Sequence, residues 1–425
     1  MTPSPVVRGM LLGSLVAGLF TAPLSADEFA ADRIYAGSGG NDRVLAYTVA
    51  GKLDSAVGGA TALKDPGALA FGPDGQLYAA SRSTGNIYAF SAFGPSGQLT
   101  ATIGELVGLA DPTAMVFTPN GTLLVADAES NTLIEIGLNG LLVSLFAGGA
   151  QLPGVRDLAY GPDGHLFVAS AAAQGVIEFD PSGVQLRTLG LGEGLTDPAS
   201  IAFDAAGRLF VSSGDADEIV VFARDGSVDE RIALLGDLES PGGLAIASTG
   251  ELVVVSRGTD DVLVLDAEGT LQQTLNSNFS EGWDVAISPY RFKFTTKGSL
   301  VVSGESRDKL KQTGQIALQP GGLQLMLELD PLEDEDGLER FGSRYLVMRG
   351  YELFEDQGQK KRLYTGSWIS DAAAINGTGS LSLTISGKLD KKTGAYVVKK
   401  AAGNLLRASA EGVYVGTAKS GKLVK

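Results

Sequence analysis

The chain of 425 residues has no cysteine, a single histidine and two tryptophans. Without cysteine there is no disulfide scaffold, no thiolate metal site and no sulfur nucleophile. With His165 as the sole histidine, a multi-histidine metal centre is impossible and a His-based triad has one candidate. Positive charge is scarce as well: 33 Lys and Arg stand against 49 Asp and Glu, a net charge of −16. Such a surface repels a phosphate backbone, so nucleic acid is excluded as a partner. Long apolar runs are also missing. The run Met10 to Phe20 falls well short of the about 20 residues that span a bilayer, and no transmembrane segment is expected. A charged fraction of 19% beside 44% hydrophobic residues excludes a disordered chain.

The N-terminus reads as an address. Arg8, the apolar run and the small-residue end Pro23-Leu24-Ser25-Ala26 have the layout of a secretory signal peptide over residues 1–26. No cysteine follows Ala26, which excludes a lipid-anchored lipoprotein. The expectation is an exported chain, periplasmic or extracellular, and bacterial because it lacks disulfides.

The strongest signal is an internal repeat. Leu69-Ala-Phe-Gly-Pro-Asp-Gly75, Met115-Val-Phe-Thr-Pro-Asn-Gly121, Leu158-Ala-Tyr-Gly-Pro-Asp-Gly164, Ile201-Ala-Phe-Asp-Ala-Ala-Gly207 and Leu244-Ala-Ile-Ala-Ser-Thr-Gly250 align without gaps, their last glycines 46, 43, 43 and 43 residues apart. A second column begins at Val44, Ile87, Leu133, Val176, Ile219 and Val262, and a third is the glycines 51, 97, 140, 183, 226 and 269. Both show one irregularity of three residues, which places the insertion between Phe90 and Gly97. Each unit reads as four short strands separated by turns, and four strands in about 40–45 residues is the signature of a propeller blade. Trp283-Asp-Val-Ala-Ile287 matches Arg156-Asp-Leu-Ala-Tyr160 but comes last, while the chain enters at Asp32 on a second strand. The predicted fold is therefore all-β: a six-bladed propeller over residues 27–289 whose first blade is closed by strands from both ends, leaving no large open edge.

These units, above all Thr118-Pro-Asn-Gly-Thr-Leu-Leu-Val-Ala-Asp127-Ala-Glu-Ser-Asn131, resemble NHL-repeat propellers. The resemblance spans about residues 32–289 and extends in architecture alone to gluconolactonase-like and streptogramin-lyase-like propellers. It implies a binding platform or, in some relatives, a lyase or lactonase. The full acidic and amide ligand set of the metal-dependent relatives is absent here, and the histidine of the lyases is not recoverable. His165 follows the Pro162-Asp163-Gly164 turn, away from the usual pocket, and reads as an exposed turn residue.

Departures from the repeat locate a candidate site. The turn column Ser38, Ser81, Asp127, Ser170, Ser213 and Ser256 reads as side chains bonding their own turn backbone, and the column four residues on as the same chemistry. At the start of strand one, Asp157 in blade four and Asp284 in blade one fall three blades apart, facing each other across the channel mouth. Arg156 and Trp283 precede them, while Arg82 and Arg257 flank blade one. Two arrangements stay open. In one, Arg82 and Arg257 take an anion, Trp283 stacks on it, and Asp157 with Asp284 orients it or holds a divalent cation such as calcium or magnesium. In the other, arginines and aspartates pair and plug the mouth.

The repeat stops at Tyr290. Residues 290–425 carry seven alternating segments, such as Gly322-Leu-Gln-Leu-Met-Leu-Glu-Leu329, and are expected to form a β-sandwich or open barrel. Lysine pairs at 360–361, 391–392 and 399–400 read as turns and strand edges, and the acidic run Glu333-Asp-Glu-Asp336 as a solvated loop. Charge divides between the two regions. Residues 27–289 hold 11 basic and 34 acidic side chains, net −23, and residues 290–425 hold 21 and 15, net +6. The expected function is an exported, monomeric binding module that meets a protein or a small anionic ligand through the channel-mouth face. A metal-assisted lyase or lactonase and a cell-envelope structural protein are the alternatives.

Overall fold

The computed structural model describes residues 33–289 apart from short connecting segments (49–50, 59–62, 92–97, 147–151, 153, 205, 248–249 and 276–278) and, beyond Tyr290, the course of the strands without their side chains. The signal-peptide segment 1–26 and Gly97 lie outside the described residues.

Residues 33–289 form six four-stranded antiparallel blades. In blade four the strands are Val155–Tyr160, Leu166–Ser170, Gly175–Phe179 and Gln185–Leu189, running from the central channel outward. Strand two is apolar on both faces and wholly buried, because it is sandwiched between the neighbouring blades. The outer strand is mostly exposed. The apolar clusters lie between adjacent blades; Phe167, Ala169, Ile201 and Val211, for example, join blades four and five. Each blade therefore depends on its neighbours for its core, as stacked repeats do.

The ring closes as the sequence predicts. Gly282–Ile287 pairs antiparallel with Ile34–Ser38, so blade one takes its inner strand from the end of the repeat region and its other three from the beginning. The three-residue insertion also falls where the columns place it: Phe90 pairs with Leu99, nine residues on, whereas Ile136 pairs with Leu142, six residues on.

The turn columns do more than expected. Asp42, Gly85, Asn131, Gln174, Asp217 and Asp260 all adopt the left-handed conformation, which Asn, Asp and Gly tolerate best. The aspartate side chains of this column then reach forward. Asp42, Asp217 and Asp260 accept from the N–H groups of Asp65, Ser240 and Glu281 at 2.7–3.1 Å, on the segment entering the next blade. The serine column differs from its expected role. Ser81 accepts from the Lys64 N–H and donates to the Lys64 carbonyl, and Ser213 does the same with Thr196. Each buried hydroxyl clasps the segment entering strand one of its own blade. Ser170 and Asp127 show the expected bond to their own turns, accepting from the N–H groups of Ala173 and Glu129.

From Tyr290, eight strands form a closed antiparallel barrel: Tyr290–Val302, Glu305–Leu318, Gln324–Leu329, Arg344–Asp356, Gln359–Trp368, Thr378–Leu389, Tyr396–Ser409 and Gly412–Lys419. The last strand pairs with the first, Val413 opposite Val301. The barrel is thus closed where the sequence suggested an open one or a sandwich. Glu305–Leu318 and Gln359–Trp368 lack the apolar alternation that marked the other strands, and without them no ring could be drawn. Lys360 and Lys361 pair inside this ladder, opposite Glu355 and Phe354, rather than at an edge. Lys391, Lys392 and residues 334–336 of the acidic run lie outside the described residues. Among the described residues no helix is long and apolar enough to cross a membrane.

Candidate functional site

Every strand one begins with a break in register against strand two, as between Pro66 and Ala68 or between Pro198 and Ile201. Such a bulge leaves inward backbone groups without ladder partners. Side chains from the start of strand one take them up. Asp284 accepts from its own Val285 N–H at 2.7 Å and from Leu69 N–H of blade two at 2.8 Å. Asp157 accepts from its own Leu158 N–H at 2.7 Å, and from Ile201 N–H and the Ser200 hydroxyl of blade five at 2.8 and 2.6 Å. Ser200 in turn accepts from Leu244 N–H of blade six at 3.0 Å. The two carboxylates and one hydroxyl thus stitch inner strands to their neighbours around the channel.

Asp157 and Asp284 line one central cavity of about 210 Å³, walled by strand one of all six blades and including Phe71, Phe117, Tyr160 and Phe203. Burial pushes the Asp157 carboxyl up to about 6, against the pull of the bonds from Ser200, Ile201 and Leu158. Burial and then the charge of Asp157 raise Asp284 well above the usual carboxylate range.

Arg82, Arg156, Arg257 and Trp283 lie in the next layer. With Gly67, Thr113, Ala199 and Gly242 they line a separate vestibule of about 30 Å³. The sequence expectation of one pocket resolves into two layers, arginines and tryptophan at the mouth and aspartates beneath them. Arg82 stacks on Trp283, its guanidinium carbon 4.1 Å from the ring centre. Its Nε donates to Asp111 at 2.9 Å, with Asp65 at 3.8 Å. Arg257 donates to the Ser240 carbonyl at 3.0 Å. Arg156 and Arg257 converge on Asp197, at 3.6 and 3.7 Å, beyond hydrogen-bond length. Burial holds the Arg257 guanidinium below its ordinary value; Asp197 opposes this and the charge of Arg156 adds to it.

The arginines are therefore balanced by Asp65, Asp111 and Asp197, which the column reading did not single out. A signal for them was present: all three precede proline at the entrance to strand one, as Asp65-Pro66, Asp111-Pro112 and Asp197-Pro198. His165 also differs from expectation. It is half-buried, its Nδ1 2.6 Å from the buried Glu178 carboxylate and 3.4 Å from Asp163. Arg187 engages the other Glu178 oxygen at 2.5 Å.

No family model matches the chain, and no curated protein matches it. Among solved structures, it is similar to a chain in a nidogen/laminin complex, with 16% identity, 60% of this chain and 98% of that chain covered, and a TM-score of 0.51. A protein of unknown function from Bacteroides caccae aligns at 17% identity over 61% of this chain and 99% of that one, TM-score 0.49. Streptogramin B lyase aligns at 11% identity over 84% and 93%, TM-score 0.43. At these identities the likeness concerns the fold.

Proposed function

We propose that the chain is an exported, non-enzymatic binding module that takes an acidic side chain of a protein partner at the channel mouth. The observation that carries this reading is the convergence of Arg156 and Arg257 on the single carboxylate of Asp197, at 3.6 and 3.7 Å, so that two cations share one anion. In a propeller with only 11 basic side chains, three in one vestibule are a concentration of positive charge that a second carboxylate would neutralise. Arg82 is already held by Asp111 and Trp283, and Arg257 donates to the Ser240 carbonyl. Arg156, the most exposed of the three, is therefore the group offered first to the ligand, with Arg257 behind it. A vestibule of about 30 Å³ admits one side-chain head and no substrate, since small-molecule pockets run to about 300–1,000 Å³. The nidogen/laminin neighbour, a propeller in a protein complex, agrees with a protein partner.

The test is a titration with a hexaglutamate peptide at low ionic strength, read by tryptophan fluorescence. A saturable change that weakens with salt and falls at least fivefold in Arg156→Ala supports the reading. A response that is absent, or equal in the variant, overturns it.

A divalent cation between Asp157 and Asp284, as a metal-assisted lyase or lactonase would need, is the second reading. Their mutual repulsion favours it. The engagement of both carboxylates by backbone N–H groups and a cavity of about 210 Å³ weigh against it. Calorimetric titration with calcium and magnesium separates the two.

A further inference from the structure

The outer strands of the blades are the open edges of the ring, and five of them carry charged or polar side chains: Leu53–Val57 (LDSAV), Leu99–Ile103 (LTATI), Gln185–Leu189 (QLRTL), Val228–Ile232 (VDERI) and Leu271–Leu275 (LQQTL). Polar and charged side chains are how sheets keep edges from pairing. Each of these five has at least two such side chains, whereas blade three has one, Ser144. Its outer strand, Leu142–Phe146, reads LVSLF and lies at the end of its sheet. Leu141, Leu142, Val143 and Leu145 are 54–65% exposed. The apolar surface continues sideways: the Phe146 ring lies against Gly183 of blade four, where a Cβ would stand 3.4 Å from it. Val184 and Leu186 beyond that turn are exposed at 58% and 50%.

We infer that this edge is the interface of a homodimer, in which Leu142–Phe146 pairs antiparallel with the same strand of a second copy about a twofold axis. An antiparallel edge is complementary to itself: the free N–H and C=O groups of one copy meet those of the other, and Leu and Val meet Leu and Val. Only one interface is needed, and it covers both apolar edges at once. The six exposed side chains offer on the order of 450 Å² of apolar area per copy. That is more than half of the about 800 Å² per partner of a stable interface, and the strand backbone and the flanking residues add to it. The edge strand Leu142–Phe146 itself carries no charged side chain. The propeller as a whole is net −23, so two copies repel at long range while their contact is apolar. This gives the dimer a signature opposite to that of the mouth: screening strengthens the dimer, whereas it weakens binding of an acidic group.

Sedimentation velocity of the full chain over a wide concentration range tests this. The expected result is a reversible monomer–dimer equilibrium that tightens from low to high ionic strength. Val143→Lys with Leu145→Lys, both at exposed positions, abolishes the dimer and leaves the melting temperature unchanged. Leu186→Lys weakens it at least threefold, and Leu106→Lys, at an exposed apolar site elsewhere on the ring, leaves it intact. A chain that stays monomeric at high concentration, a dimer indifferent to the double lysine variant, or assembly beyond two copies overturns the inference. Loss of peptide binding in Arg156→Ala with the dimer intact concerns the mouth alone.

Discussion

At the scale of single residues, the channel carboxylates bind the ring together yet are strained by their charge. Asp157 and Asp284 give the backbone N–H groups of neighbouring blades their acceptors, and both titrate above the ordinary range because burial opposes ionisation. The native chain therefore holds these protons more tightly than the unfolded chain. Below about pH 4 both states are protonated and the stabilisation is fully present. It is lost as pH rises through about 6 for Asp157, and as pH rises through the raised value of Asp284. A melting temperature about 5 °C higher at pH 5 than at pH 8 is expected, with the difference shrinking in Asp284→Asn. An unchanged pH slope in that variant would place the dependence elsewhere. Counting blades was enough to set Asp157 opposite Asp284. It was not enough to give the arginines their partners, because Asp111 and Asp197 come from loops entering adjacent blades and Asp65 from the loop entering the blade of Arg82 itself, none of them in the columns read.

At the scale of elements, the repeat shows which residues recur and the structure shows what each recurrence is for. The buried Ser213 hydroxyl donates to the Thr196 carbonyl at 2.9 Å and accepts from its N–H at 3.0 Å. Removing it leaves two part-buried backbone groups without that partner. Ser213→Ala is expected to cost about 1–3 kcal/mol, read by chemical denaturation, whereas exposed Ser83→Ala stays within about 0.5 kcal/mol. Equal effects would return the column to the local turn role first read from it. The strand sequences carry their own burial: unbroken apolar runs for strand two, mixed ones for the outer strand. The barrel strands Glu305–Leu318 and Gln359–Trp368 were illegible, since their pairing is set by register with neighbours and not by alternation along themselves.

At the scale of the whole molecule, closure joins the two ends of the repeat region. Ala36 sits in the strand between the closing strand and the rest of blade one, opposite Leu45 on one side and Val285 on the other. Ala56, on the outer strand, pairs on one side only. Ala36→Pro removes an inner ladder bond and is expected to cost at least about 3 kcal/mol, lowering the melting temperature by about 10 °C. Ala56→Pro should cost far less, and comparable losses would show that closure does not govern cooperativity. The scarcities met first retain their meaning at this scale. A chain without cysteine, with one histidine and a net charge of −16, has no disulfide to hold its ring, and holds it by strand exchange and blade-to-blade packing. Repeat length, blade number, the place of the insertion and the closing strand were determined by the sequence, because each is a matter of spacing along the chain. The division of the site into an arginine layer and an aspartate layer, the pairing of the arginines with the Asp-Pro carboxylates, and the bare apolar edge of blade three were decided by the tertiary structure. Each of these depends on which side chains from distant blades meet and on which faces the ring leaves uncovered.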